Sequence, residues 1–219
     1  MKNKIINLES NTPVYPYSPT WKFSLFCDYL RDKNLIIDLK KYLLEEEKNI
    51  IQNYHVDISP GNFILNQMSS RYMMYNLFEY GKDIKCIIEL KKYIKECFIQ
   101  HTTMVEGKCA YTPYVACWYI TLLPGESLPV HRHDNYEHSF LSGNLTIDCQ
   151  DSFTEYYLPY DQGIHSIKNE NGMLTIFPSF ILHGTTPHSG KNKRVTIGFD
   201  FKPNIDDCPD EYKHRFILL

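Results

Sequence analysis

The sequence predicts a mainly β protein of jelly-roll type, with helices gathered in its first half. Two observations predict it. After residue 110 the chain breaks into short segments rich in β-branched and aromatic residues, cut by Gly, Pro, Asp and Asn at fairly regular intervals. Before residue 110 the apolar residues recur at helical spacing instead.

Residues 1–20 hold several Pro and Asn and read as an irregular arm. Residues 21–52 read as helix. Phe23, Leu25, Phe26, Tyr29 and Leu30 form one apolar stripe, and Leu35, Ile36, Leu39, Tyr42, Leu43 and Ile50 form the next. Asp32 and Asn34 mark the break between them. Ser59-Pro60-Gly61-Asn62 is a turn signal. Another helix is expected from Asp83 to His101. Ile84, Ile87, Ile88, Leu90, Tyr93, Ile94, Cys97 and Phe98 give it a broad apolar face, with Lys85, Glu89, Lys92 and Glu96 opposite.

The first strand is expected within Tyr111–Leu123, ending at the turn dipeptide Pro124-Gly125. Strands then follow at Leu128–His133, Glu137–Leu141, Asn144–Cys149, Thr154–Leu158, Ile164–Lys168, Met173–Phe177, Ile181–Thr186 and Arg194–Phe201. The expected organisation is a helical N-terminal region, 1–109, packing on a β core, 110–219, as one integrated domain. A length of 219 residues suits that.

Composition narrows the function classes. Hydrophobic residues make up 43% of the chain, enough for a core and too many for disorder. The formal net charge is -3, with Lys and Arg scattered and no basic run long enough to track phosphates. A nucleic-acid partner is not expected. Seven Cys without any C-x-x-C pair read as small buried residues in a reducing compartment. No signal-length or membrane-length apolar run is present, so a cytoplasmic protein is the expectation.

The densest group of metal-competent residues lies at 131–138. Alternate residues of a strand share a face, so His131 and His133 point into one cavity with Arg132 outward. Two imidazoles on one face are a ready pair of ligands for Fe, Mn, Zn or Ni. Asp134-Asn135-Tyr136 reads as a turn, after which Glu137 brings a carboxylate back toward the pair. A polar surface hairpin is the plainer alternative. Three His and two carboxylates within this short stretch favour the metal. Downstream, an apolar strand and a Pro turn lead to His183, a weak signal alone. Arg194 and Thr196 share one face of the last strand, and Val195, Ile197 and Phe199 share the other. An inward Arg194 needs an anionic partner, and a guanidinium beside a hydroxyl is shaped to hold a carboxylate. A surface ion pair is its alternative reading. Tyr111, Tyr114, Trp118 and Tyr119 are candidates for pocket lining or for ordinary core packing.

His131-x-His133, Leu141-Ser142-Gly143, Phe177-Pro178-Ser179 with His183, and Arg194-x-Thr196 together resemble the Fe(II)- and 2-oxoglutarate-dependent oxygenases. The likeness is greatest to a small bacterial and viral group, and it spans Tyr111 to Phe201. It implies a double-stranded β-helix of cupin-like, jelly-roll form. It implies Fe(II), O₂ and 2-oxoglutarate as cosubstrate, with succinate and CO₂ released as an unknown substrate, a small molecule or peptide, is hydroxylated. His131 and His183 become ligands, and Arg194 binds the far carboxylate of 2-oxoglutarate with Thr196 assisting. His133 fills a slot that is usually acidic in this superfamily. The site is then two His with a carboxylate, three His, or four ligands, with Glu137 or Asp134 as the carboxylate.

The same residues also resemble the cupins, which share the barrel. Gly125, His131, His133, Glu137 and Gly143 echo the first cupin motif. Gly172, Pro178 and His183 echo the second, with Phe180 where a Gly is usual. That resemblance implies His131, His133, Glu137 and His183 as ligands, in a dioxygenase or isomerase without 2-oxoglutarate, or in a small-ligand sensor. The helical half is expected to buttress the barrel, to shape a substrate mouth or to form a homodimer contact.

Overall fold

A computed structural model describes residues 3–10, 16–17, 19–53, 68–69, 75–109, 111–133 and 139–219. Two sheets form among them. The larger runs β1 (Lys4–Glu9), β2 (Lys22–Tyr29), β8 (Met173–Pro178), β5 (Leu141–Asp148), β10 (Arg194–Lys202), β4 (Tyr114–Leu122) and β11 (Ile217–Leu218), with β3 (Met68–Ser69) also on β4. The smaller runs β7 (Ile164–Lys168), β6 (Phe153–Tyr157) and β9 (His183–Thr185). From β4 onward the chain shuttles between the sheets. β4, β5, β8 and β10 fall in the larger one, and β6, β7 and β9 in the smaller. That winding is the double-stranded β-helix, and each strand expected from 141 to 201 falls within a residue or a few of its place.

The helices cover the outer face of the larger sheet. α1 (Lys33–Asn53) starts where Asp32 Oδ1 accepts from the backbone N–H of Asn34 and Leu35, at 2.9 and 3.1 Å. A short α2 (Leu77–Tyr80) leads into α3 (Lys85–Glu106). α3 ends on Gly107, whose φ of +80° suits a residue without Cβ. Its buried face is Cys86, Ile87, Leu90, Ile94, Cys97 and Phe98. Ile84 and Ile88 point to solvent, so the apolar stripe is narrower than its sequence suggests. Leu39, Leu43, Leu90, Ile94 and Phe98 form one core with Val195, Ile197, Phe199 and Phe201 of β10. A fourth helix, α4 (Asp210–Lys213), lies near the C-terminal end.

Three expectations fail. Residues 22–29 form a strand rather than a helix. β2 lies between β1 and β8 and is buried on both faces. Phe26 meets His101 on the helical side, and Phe23 and Leu25 pack with Tyr156 and Phe177 on the other. A strand buried on both sides reads as a continuous apolar run, which spacing alone does not separate from a helix. The arm holds an edge strand, Lys4–Glu9, before its prolines begin. Leu128–His133 makes no ladder and has one isolated bridge, His131 to His183. Pro129 lacks the N–H a ladder would use there. The strand expected at Glu137–Leu141 falls partly outside the described residues.

Five of the seven cysteines, Cys27, Cys86, Cys97, Cys117 and Cys208, are buried. No helix among the described residues is long and apolar enough to cross a membrane.

Candidate metal centre

Three elements bring the histidines together. His131 and His183 exchange backbone hydrogen bonds across their bridge, 2.9 Å each way. His133 is tied by its N–H to the Ser179 carbonyl at 3.0 Å, at the start of the turn after β8. The ring centroids of His131, His133 and His183 are 4.4 to 5.1 Å apart. One ligand nitrogen from each lies within 4.8 Å of the others. The set could hold a metal ion.

Whether it suits Fe(II) depends on which ring nitrogens carry protons. Each Nδ1 faces an oxygen that can only accept: His131 the Pro129 carbonyl at 2.8 Å, His183 the Ile181 carbonyl at 3.0 Å, His133 the Asp200 carboxylate at 2.7 Å. A hydrogen bond there puts the proton on Nδ1 and leaves Nε2 with its lone pair. Burial holds the His183 pKa well below its ordinary value, and the neighbouring His131 and His133 lower it further. A neutral imidazole is the form that binds metal, and imidazole is a good iron ligand. The donor set fits.

Aromatic side chains wall the cluster. Phe177 meets His183 edge-on at 4.6 Å, Tyr156 lies parallel to it at 6.3 Å, and Trp118 is 5.6 Å from His133. Gly198 makes room for that Trp118, because a Cβ there would come within 2.6 Å of the indole. Among the four aromatics singled out above, Trp118 reaches the site, whereas Tyr119 packs in the helical core.

The β10 strand carries two different faces. Val195, Ile197, Phe199 and Phe201 meet the helices, and Arg194, Thr196, Gly198 and Asp200 face the barrel interior. Arg194 is 1% exposed. Its Nε donates to Thr196 Oγ1 at 3.2 Å, while its Nη1 has no partner among the described residues. Burial lowers its pKa, and nearby Cys149 partly offsets this. Directly across the sheet, Thr146 opposes Thr196 and Asn144 opposes Gly198. Thr146 Oγ1 and Asn144 Oδ1 also lack partners among the described residues. Buried polar atoms ordinarily have partners; the Arg194 guanidinium and the Thr146 hydroxyl can donate to an anionic guest such as a dicarboxylate, whereas Asn144 Oδ1 only accepts.

Glu137 and Asp134, the candidate carboxylates, lie outside the described residues. Sequence reasoning missed Asp200, Asn144 and Thr146, and it named Ser142 and Ser179 as motif residues without seeing that they back His133. The signal for Asp200 was available. Continuing the Arg194, Thr196 alternation by two steps reaches it.

Residues 151–200, which contain His183, Arg194, Thr196 and Asp200, match a family described as "Putative 2OG-Fe(II) oxygenase". No curated protein matches the chain. Among solved structures, a prolyl-4-hydroxylase from Pseudomonas putida aligns with a TM-score of 0.60 at 11% identity, covering 82% of this chain and 92% of that one. A Trichoplax adhaerens prolyl hydroxylase, in complex with a hypoxia inducible factor peptide fragment, aligns at 0.54 and 14%, covering 82% and 83%. The alpha ketoglutarate dependent carbocyclase SnoK from nogalamycin biosynthesis aligns at 0.54 and 7%, covering 84% and 83%. At such identities the likeness speaks for the fold, and the reactions named differ. The chain thus has the fold of these structures, and its segment 151–200 is similar to the 2OG-Fe(II) oxygenase family.

Proposed function

We propose that this protein is a hydroxylase-type Fe(II)- and 2-oxoglutarate-dependent oxygenase acting on a small molecule or a peptide. His131, His133 and His183 hold the iron, and Glu137 is a further candidate ligand. Arg194 and Thr196 receive the far carboxylate of 2-oxoglutarate. The observation that carries the reading is the Arg194 Nη1, buried without a partner among the described residues on the strand face that also reaches His133 through Asp200. An unpaired guanidinium in a protein interior is costly, and a bound carboxylate removes that cost. When bound, the iron with 2-oxoglutarate and O₂ supplies oxidising power for a C–H bond, and the protein supplies position and a dry pocket.

The residues have separate tasks in this reading. The Nδ1–H bonds fix three rings with Nε2 turned to the metal. Phe177, Tyr156 and Trp118 exclude water from the rings. Arg194 orients the cosubstrate by its remote end. The test is anaerobic addition of 2-oxoglutarate to the Fe(II) protein, followed by air. A visible absorption change and succinate formation are expected. No change and no succinate would sink the reading and favour a cupin metalloenzyme that does without 2-oxoglutarate. Glu137→Ala is expected to weaken metal binding, and undiminished binding would remove Glu137 from the ligand set.

A further inference from the structure

The carboxylate behind His133 belongs to Asp200. Asp200 is fully buried. Its Oδ1 accepts from His133 Nδ1 at 2.7 Å and from Ser142 Oγ at 2.6 Å. Ser142 Oγ lies 2.7 Å from Ser179 Oγ. Since Ser142 spends its proton on Asp200, Ser179 donates to Ser142. Ser179 also accepts the backbone N–H of His133 through its carbonyl. The imidazole is thus clamped at its ring and at its main chain by one connected network. His131 and His183 differ: their Nδ1 atoms rest on neutral backbone carbonyls two residues away.

We infer that Asp200 is the charge-supplying and positioning residue of the metal centre, acting through His133. The inference rests on the proposed ligand set. The three imidazoles are neutral and by themselves bring no charge to offset that of a divalent ion. An imidazole and a carboxylate with one proton between them carry a net charge of minus one, wherever the proton sits. His133 with Asp200 therefore delivers to the metal the charge that a carboxylate ligand would bring, through a ring that stays in fixed orientation. The Ser142–Ser179 relay keeps the carboxylate aimed. Of the three rings, His133 is the electron-rich ligand, because a charged acceptor raises ligand basicity more than a carbonyl does.

The experiment uses Co(II) as the probe and follows its visible absorption as it is titrated into the metal-free protein. Asp200→Asn keeps shape and acceptor but removes the charge. Affinity is expected to fall about 10–100-fold, with near-ultraviolet circular dichroism unchanged. Unchanged affinity would overturn the inference. The discriminating step repeats the substitution in a His133→Asp background, where the ligand brings its own charge and faces Asp200 as a like charge. There Asp200→Asn is expected to cost much less Co(II) affinity than in the wild-type background. An equal fold-loss in both backgrounds means a merely structural role and overturns the inference. His133→Ala separates the two levels. If it binds Co(II) like the wild type, the ligand set fails. If it loses Co(II) while Asp200→Asn does not, only the role of Asp200 fails. Should Asp200→Asn not fold, the Zn(II)-loaded wild type labelled with ¹⁵N-histidine gives the answer by NMR. The His133 Nδ1–H is expected downfield of the His131 and His183 protons, and equal shifts overturn the inference.

Discussion

His131 and His183 lie opposite each other in a single antiparallel bridge and exchange both of its backbone hydrogen bonds, 2.9 Å in each direction. Their relative position is therefore held by main chain and does not depend on either imidazole. Replacing one ring should leave the bridge standing. His131→Ala and His183→Ala are each expected to abolish Fe(II) or Co(II) binding while the circular dichroism of the metal-free protein persists. Metal retention by either variant, measured by dialysis and metal analysis, would show that the ring is not a ligand.

Arg194 is expected to give two opposite effects. Arg194→Met removes a charged hydrogen-bond donor from the cosubstrate, a loss of about 1.5–3 kcal/mol, or ~10–100-fold in 2-oxoglutarate affinity. It also removes a guanidinium that is 1% exposed and incompletely partnered. The metal-free variant should therefore melt no lower than the wild type, or higher. Metal affinity without 2-oxoglutarate should not change. Calorimetric titration and thermal melts check the two sides separately.

His101, on the inner side of α3, controls part of the acid stability. It sits edge-on to Phe26, its Nδ1 has no partner among the described residues, and burial pushes its pKa down to about 4. Between about 4 and the ordinary 6.5, the unfolded chain binds a proton at this ring and the folded chain does not. Stability is thus full above pH 6.5 and is lost as pH falls toward 4. The loss amounts to roughly 3 kcal/mol at one unit per 1.36 kcal/mol. His101→Leu should flatten the pH dependence of denaturant midpoints over that window. An identical slope in both proteins would assign the acid sensitivity elsewhere.

Gly143 is a packing requirement. A Cβ there would stand 2.3 Å from the Phe199 ring and 2.5 Å from the Thr175 carbonyl oxygen. Gly143→Ala must displace an aromatic ring in the core against a β-strand backbone. A loss of about 1–3 kcal/mol is expected from overpacking, read from denaturant unfolding. A neutral result would mean that the ring has room to move.

The parts of the molecule visible in the sequence share a cause. β5 through β10 each have turn residues at their ends, so Gly, Pro and Asp mark their limits. α3 exposes one face and buries the other, so its period is clear. β2 was misread because both of its faces are buried, which erases the alternation that identifies a strand. The histidines were legible because two stand at the same-face spacing in the chain. Asp200 and Ser142 were not, because they serve His133 across the sheet. Their sequence separations from it and from each other are set by topology, which local pattern does not record. Thr146 and Asn144 become significant only when the register places them opposite Thr196 and Gly198.

The alternating faces of β10 have a consequence for how this chain can change. Arg194 and Asp200 are six residues apart, about 20 Å along a strand, and both must point the same way. Deleting or inserting one residue between them would turn one end of the strand inside out, sending the Arg194 guanidinium into the helical core or the Asp200 carboxylate away from its histidine. Changes of two residues would restore the direction but shorten or lengthen the reach by about 7 Å. The strand is thus a measuring rod that admits only even steps, so variation in length belongs to the turns at its ends.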